Sequence, residues 1–447
     1  MSFWKTIKSG NMNDLWLEDP ESSSNGRYNP VGVSFRKHQV MELVGKWEAA
    51  EVISRDILDW INLSSRKNED VFLSIKAKAT LSLSMIQRRK GNYDDCLSLT
   101  GAAAEYFTES GDMVQLCQCH FNMGIINLER GKFSEALDHY KSGYDIAEKI
   151  GDLSLKCRAL GNIGNVYTYQ GNFQDALSYL EDCLQTAEQL GNLRLICLAL
   201  GNIGLTHRNL GNVSQAEACL NRQMEMSKLI GDRHATSLAL ANLAGVYFVQ
   251  GKHNQALELS ERHLKIAREL GDLRMEGLAC SNMGKIFRIL GQGEDAFIYL
   301  QKAADITEKM GDKRGQASIM VEMGSIALDQ GQSLKGKKLL ESALAIAEEI
   351  GDQHRVAVGC NEMGRMHQLA GENNAAVEYY RRAIGISRSL HLMELLADNL
   401  NCLAGCLIEQ GSREQAAIAV TEAEKIAEES GLSTIMAESR EIKKNLR

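Results

Sequence analysis

The chain is 447 residues long, 44% apolar and 24% charged, a composition that suits two or three globular domains or one extended array. Its net charge of −8, with basic residues scattered and no Lys/Arg run, argues against nucleic acid or an anionic lipid surface as the main partner. No signal-peptide core and no membrane-length apolar stretch is visible, and eleven cysteines without paired spacings point to a reducing, cytoplasmic compartment.

Residues 1–32 read as a flexible tail, because LEDPESSSNGRYNP is polar, rich in turn formers and holds both prolines of the chain, Pro20 and Pro30. Beyond Val33 no proline interrupts helix. A divergent helical unit over 33–68 surrounds GKWEAAEVISRDILDW, and from Glu69 the chain becomes periodic. Glycine recurs every forty residues in two registers, one running from Gly111 to Gly351 and the other from Gly131 to Gly411. A glycine about every twenty residues punctuates helix, turn, helix, turn. Nine such units fill 69–430, and a closing helix occupies 431–447.

Within one unit, Phe173, Ala176, Leu177, Leu180, Leu184, Ala187 and Leu190 form a single helical stripe that ends at Gly191. Glycine closes a helix in the left-handed conformation without a Cβ penalty. The next residue is Asp152, Asn192, Asp232, Asp272, Asp312 or Asp352 in successive units, each able to cap the following helix. A second small-residue column, Gly124, Gly164, Gly204, Gly284, Gly324 and Gly364 with alanine at 244 and 404, falls mid-helix. With no strand before it to build a phosphate loop, it reads as a packing device.

This pattern resembles the tetratricopeptide repeat, through Leu160, Ile163, Gly164, Tyr167, Ala176, Leu180 and Cys183 and the same columns of neighbouring units. The unit of forty ending in Gly-Asp is most similar to the Pins/LGN type of scaffold protein. The resemblance spans 33–447 and implies an all-α, right-handed solenoid of about nine to ten helix-turn-helix units with a C-terminal capping helix. In such a superhelix the first helix of each unit lines the concave surface.

At 100° per residue, Arg158, Asn162, Asn165 and Tyr169 lie opposite the core face of their helix and should point into that groove. The Asn162 column forms a ladder, Asn122, Asn162, Asn202, Asn242 and Asn282, continued by Glu322 and Glu362. Apolar neighbours are Leu198, Leu205, Leu238, Val249, Leu278 and Ile289, and the far end turns acidic at Asp329, Asp398 and Glu409. Paired donor and acceptor on each amide suit the main chain of a peptide, the apolar flanks its side chains, and the acidic end a basic segment. In the Pins/LGN type the corresponding asparagines are implied to contact partner peptides. Most of the basic groove residues of that type are missing here, apart from Arg158. The alternative is that each asparagine bonds a neighbouring repeat and stiffens the stack.

Other motifs carry less. GQSLKGKK (331–338) lacks the final hydroxyl residue of a nucleotide-binding loop and straddles an inter-helix glycine. CQCH (117–120) has no second ligand pair, and Cys360 with His367 makes no nucleophile–base arrangement, so neither a metal site nor a catalytic centre is expected. Near the start, NDLWLEDPE (13–21) is similar to the tryptophan-acidic peptides bound by kinesin light chain repeats; it is either a plain leader or an element that occupies a groove.

These readings describe a non-enzymatic, cofactor-free scaffold or adaptor that binds a protein or peptide in its concave groove. The second reading is a receptor whose superhelix changes shape on binding a small ligand or signalling peptide. No G-protein-regulatory motif of the Pins/LGN type follows the repeats, so that activity is not carried over.

Overall fold

Glycine punctuation without proline leaves the backbone helices and turns, and among the described residues there are twenty α-helices and no strand. The computed structural model describes residues 47–63, 69–89, 91–430 and 432–446. The expected tail over 1–32, the Trp16 motif within it and the start of the divergent unit lie outside these residues. Helix α1 (Trp47–Leu63) precedes the hairpins α2–α3 (Asp70–Arg89, Tyr93–Ser110), α4–α5 (Met113–Glu129, Phe133–Ile150) and α6–α7 (Leu153–Gln170, Phe173–Gln189). Next come α8–α9 (Leu193–Asn209, Val213–Leu229), α10–α11 (Arg233–Val249, His253–Leu270) and α12–α13 (Leu273–Ile289, Gly293–Met310). The last hairpins are α14–α15 (Lys313–Asp329, Ser333–Glu349), α16–α17 (Gln353–Leu369, Asn373–Ser389) and α18–α19 (Met393–Glu409, Arg413–Glu429). Helix α20 (Ser433–Asn445) closes the array.

These helices gather into two compact units, Met1–Met123 and Gly124–Arg447, divided inside α4. In the first, Ile53, Ile57, Trp60, Ile61, Phe72 and Ala79 form one core, with Trp60 stacked on Phe72 at 5.5 Å. Ala77, Leu81, Ala103, Phe107 and Cys119 form another. The second unit is a continuous stack in which every helix packs on its neighbours in sequence. Phe173, Ala176, Leu180 and Ala187 are buried as the stripe requires, whereas Leu190, the C-cap residue before Gly191, is 39% exposed.

The small-residue column does what its size suggests. A Cβ added to Gly164 would lie 2.6 Å from Leu180 Cγ, and one on Gly124 would strike the Tyr140 ring. Gly204, Gly284, Gly324 and Gly364 meet Leu220, Leu300, Leu340 and Tyr380 in the same way. The caps also form: Asp152 Oδ1 accepts from Ser154 N and Leu155 N, and Asp232, Asp272, Asp312 and Asp352 each accept from the backbone N–H three residues on.

Candidate functional site

The first helices of the hairpins in the second unit, α6 to α18 by even numbers, turn one face away from their partner helices. Large apolar side chains stand there in the open: Tyr169 is 54% exposed, Val249 59% and Leu278 45%, with Leu198 and Ile289 beside them. On the same face Asn162, Asn202, Asn242 and Asn282 are half-buried, and among the described residues their side-chain amides have no hydrogen-bond partner. Two asparagines farther along the array are engaged. Asn361 Nδ2 donates to Asp398 Oδ2 and to Asn399 Oδ1, both at 3.1 Å, and Asn401 Oδ1 accepts from Ser439 Oγ at 2.9 Å. Asn122, the first rung, is also half-buried and belongs to the first unit.

Farther along, the stripe departs from expectation. Its carboxylates are bound internally instead of standing ready for a basic segment. Glu322 pairs with Lys285 at 2.8 Å, Glu362 accepts from Ser325 Oγ at 2.8 Å and from Arg365 Nε at 3.0 Å, and Asp329 holds Arg288 at 2.6 Å and Arg365 at 3.1 Å. Burial pushes the Asp329 carboxyl up, but these two guanidinium bonds outweigh it and hold the group below the usual range.

The second departure is larger. Gly131 packs on Gln353, His354 and Leu390; Gly171 packs on Met393; and Leu210 joins a cluster of Phe173, Ala427 and Leu432. The partner lies 222 residues on in each case (131 to 353, 171 to 393, 210 to 432). The C-terminal end of one first helix thus meets the N-terminal end of the first helix six hairpins later. Charge reinforces this seam: Arg314 reaches Glu129 at 3.7 Å and Asp352, which is fully buried, at 3.0 Å. Burial, aided by Arg355 and Arg314, pushes the His354 imidazole down to about 4, so it is neutral at ordinary pH. The groove expected to be open is bridged here by its own next turn.

What the bridge leaves is a cavity of about 930 Å³. One wall is made by Tyr169 of α6, Arg208 and Asn209 of α8, Asn242, Phe248 and Val249 of α10, and Leu278, Asn282 and Lys285 of α12. The facing wall is made by His354, Glu394, Leu432, Thr434 and Ile435, at the starts of α16, α18 and α20. Of the residues expected from sequence, the cavity gathers Tyr169, Asn242, Val249, Leu278 and Asn282. Arg158 and Leu198 are exposed and Asn162, Asn165, Asn202, Leu205 and Leu238 half-buried on the first helices, without lining it. Arg208 was missed although it lies one helical turn past the Asn165 column. Glu394 had a signal too, as the acid that follows five basic residues in its column, Arg194, His234, Arg274, Arg314 and His354.

The remaining motifs are absorbed by packing. Gly331 is a turn glycine at φ +73° and Gly336 a close contact of Leu328. His367 Nδ1 meets Glu372 at 2.6 Å and its ring stacks on Tyr379, while burial pushes the Cys360 thiol up to about 11. Among the described residues no trio of His, Cys, Asp or Glu could hold a metal ion, and no helix is long and apolar enough to cross a membrane.

The tetratricopeptide repeat profile matches residues 76–149, 155–228, 195–269 and 315–389, together more than half of the chain. Comparison with curated protein sequences finds no match. Among solved structures, a Rap protein complexed with competence and sporulation factor superposes with a TM-score of 0.52 at 17% identity, covering 90% of this chain and 99% of that one. The Rap conjugation gene regulator of plasmid pLS20, in complex with a Phr peptide, gives 0.53 at 13% identity, covering 80% and 98%. At these identities the likeness is one of fold.

Proposed function

The chain belongs to the tetratricopeptide repeat family, and from that premise we propose that it is a non-enzymatic binding protein whose second unit holds a short extended peptide in its channel. The observation that carries this reading is the pair Asn242 and Asn282, whose amides have no partner among the described residues and open onto a half-open cavity. Such amides can bracket a peptide main chain, donor and acceptor together, while Tyr169, Val249 and Leu278 receive apolar side chains. The likeness of the forty-residue unit to the Pins/LGN type, whose ladder asparagines touch partner peptides, supports the same role. So do the two Rap structures, one complexed with a competence and sporulation factor and one with a Phr peptide.

The receptor reading gains from one feature. The cavity walls come from two successive turns, so an occupant touching both would bias their spacing. A cytoplasmic setting suits the eleven free thiols. The test is the combined change Asn242→Ala and Asn282→Ala, with partners recovered by affinity purification. Recovery should fall at least about tenfold, some 1.4 kcal/mol. Undiminished recovery by a variant with an unaltered melting curve would remove the pair from ligand binding.

A further inference from the structure

We infer that the cavity selects short apolar peptides with both ends free, the C-terminal carboxylate meeting Arg208 and the N-terminal ammonium meeting Glu394. This rests on the peptide reading above and specifies its ligand.

Arg208 ends α8 and Glu394 begins α18, so they face the same cavity from opposite turns of the superhelix. Among the described residues neither has an opposite charge within ion-pair distance. That sets them apart from the other charges of the channel. Lys285 pairs with Glu322 at 2.8 Å, Arg288 with Asp329 at 2.6 Å, and Arg365 with Glu362 at 3.0 Å. The Arg208 guanidinium donates only to Asn209 Oδ1, at 2.9 and 3.2 Å, a neutral acceptor on the adjacent residue.

Neither charge is compensated by a partner of opposite sign among the described residues. Burial pushes Arg208 below its ordinary range and Glu394 above its own, and each opposes the other's shift through space without contact. Glu394 is an exposed residue on the wall of this half-open cavity, so an occupant of the cavity can reach it. A dianionic occupant would be repelled at Glu394 and a dication at Arg208. A zwitterion compensates both, and an extended peptide is the zwitterion that also uses Asn242, Asn282 and the apolar surface of Leu278 and Leu432. Main-chain contacts by the amides would then be largely indifferent to sequence, leaving the ends to set length and direction.

The full chain is offered a synthetic library of di- to hexapeptides with apolar side chains in four forms: free ends, N-acetylated, C-amidated and doubly blocked. Bound species are identified by affinity-selection mass spectrometry and their Kd values measured by calorimetry. Each blocked end should weaken binding at least about tenfold. Arg208→Gln should erase the penalty for amidation and keep that for acetylation; Glu394→Gln should do the reverse. Equal binding of free and blocked forms by the unaltered protein overturns the inference while leaving the peptide-binding channel in place. Binding of no form to the folded protein removes both. Because free and blocked peptides are first compared on the unaltered chain, a variant that fails to fold does not rescue the idea.

Discussion

At the scale of single residues, the repeat is a set of size-matched pairs sixteen positions apart. Glycine at 124, 164, 204, 284, 324 and 364 faces Tyr140, Leu180, Leu220, Leu300, Leu340 and Tyr380. Where alanine replaces glycine the residue sixteen positions on is smaller, Ser260 after Ala244 and Val420 after Ala404. Gly164→Ala should therefore cost about 1–3 kcal/mol in denaturant unfolding, by overpacking against Leu180. Adding Leu180→Val should recover part of that loss, with a coupling of at least about 0.5 kcal/mol in the double-mutant cycle. Asp398 carries a second prediction at this scale. Burial, with Glu438, Glu362 and Glu394 nearby, pushes its carboxyl up to about 6 against the single Asn361 bond. A folded pKa above the unfolded value makes this group cost stability as pH rises from about 4 to 6, in full above that. Asp398→Asn should thus raise stability on the order of 2 kcal/mol at pH 7 and give no gain near pH 3, read by paired melts. The glycine column was legible in the sequence because it is a local, repeating size constraint. The charges at 208 and 394 were not combined, since nothing local ties positions so far apart.

At the scale of the element, each hairpin is bounded by one dipeptide, glycine to end a helix and aspartate or asparagine to begin the next. The unit beginning at α18 lacks both. His391 stands in the glycine column at φ +55°, the one non-glycine residue there among those described, and Leu392 supplies no side-chain cap. A Cβ in the left-handed region costs roughly 1–2 kcal/mol. His391→Gly should recover about 1 kcal/mol, seen as a higher midpoint with an unchanged slope in urea. Capping was readable in advance at Asp152 through Asp352 because it depends on residues two or three apart. What those caps do beyond their own helix was not: Asp232 also receives Arg194 at 3.1 Å and Asp352 receives Arg314 at 3.0 Å, from one hairpin earlier.

At the scale of the second unit, sequence conveyed the hairpin and its stacking but not the pitch. Superhelical pitch sums small rotations over six hairpins, and no single position encodes the result. The open groove expected from the face of α6 or α8 alone is bridged by α16, α18 and α20 for that reason. Helix α20 is the last piece, since Leu432, Ile435 and Met436 cover Phe173 and Leu210. Removing 431–447 should speed amide exchange around Phe173 and Leu210 and enlarge the radius of gyration in small-angle scattering. Unchanged values in both would show that the seam stands without its final helix.

An open solenoid can gain or lose a whole repeat and simply become longer or shorter. Contact between positions 222 apart removes that freedom, because excising one forty-residue hairpin between Gly131 and Gln353, or between Gly171 and Met393, would put each surviving glycine opposite the wrong helix start. The number of hairpins between those partners is therefore counted by the molecule itself, and a family whose members vary freely in repeat number has here a stretch in which the tally is fixed.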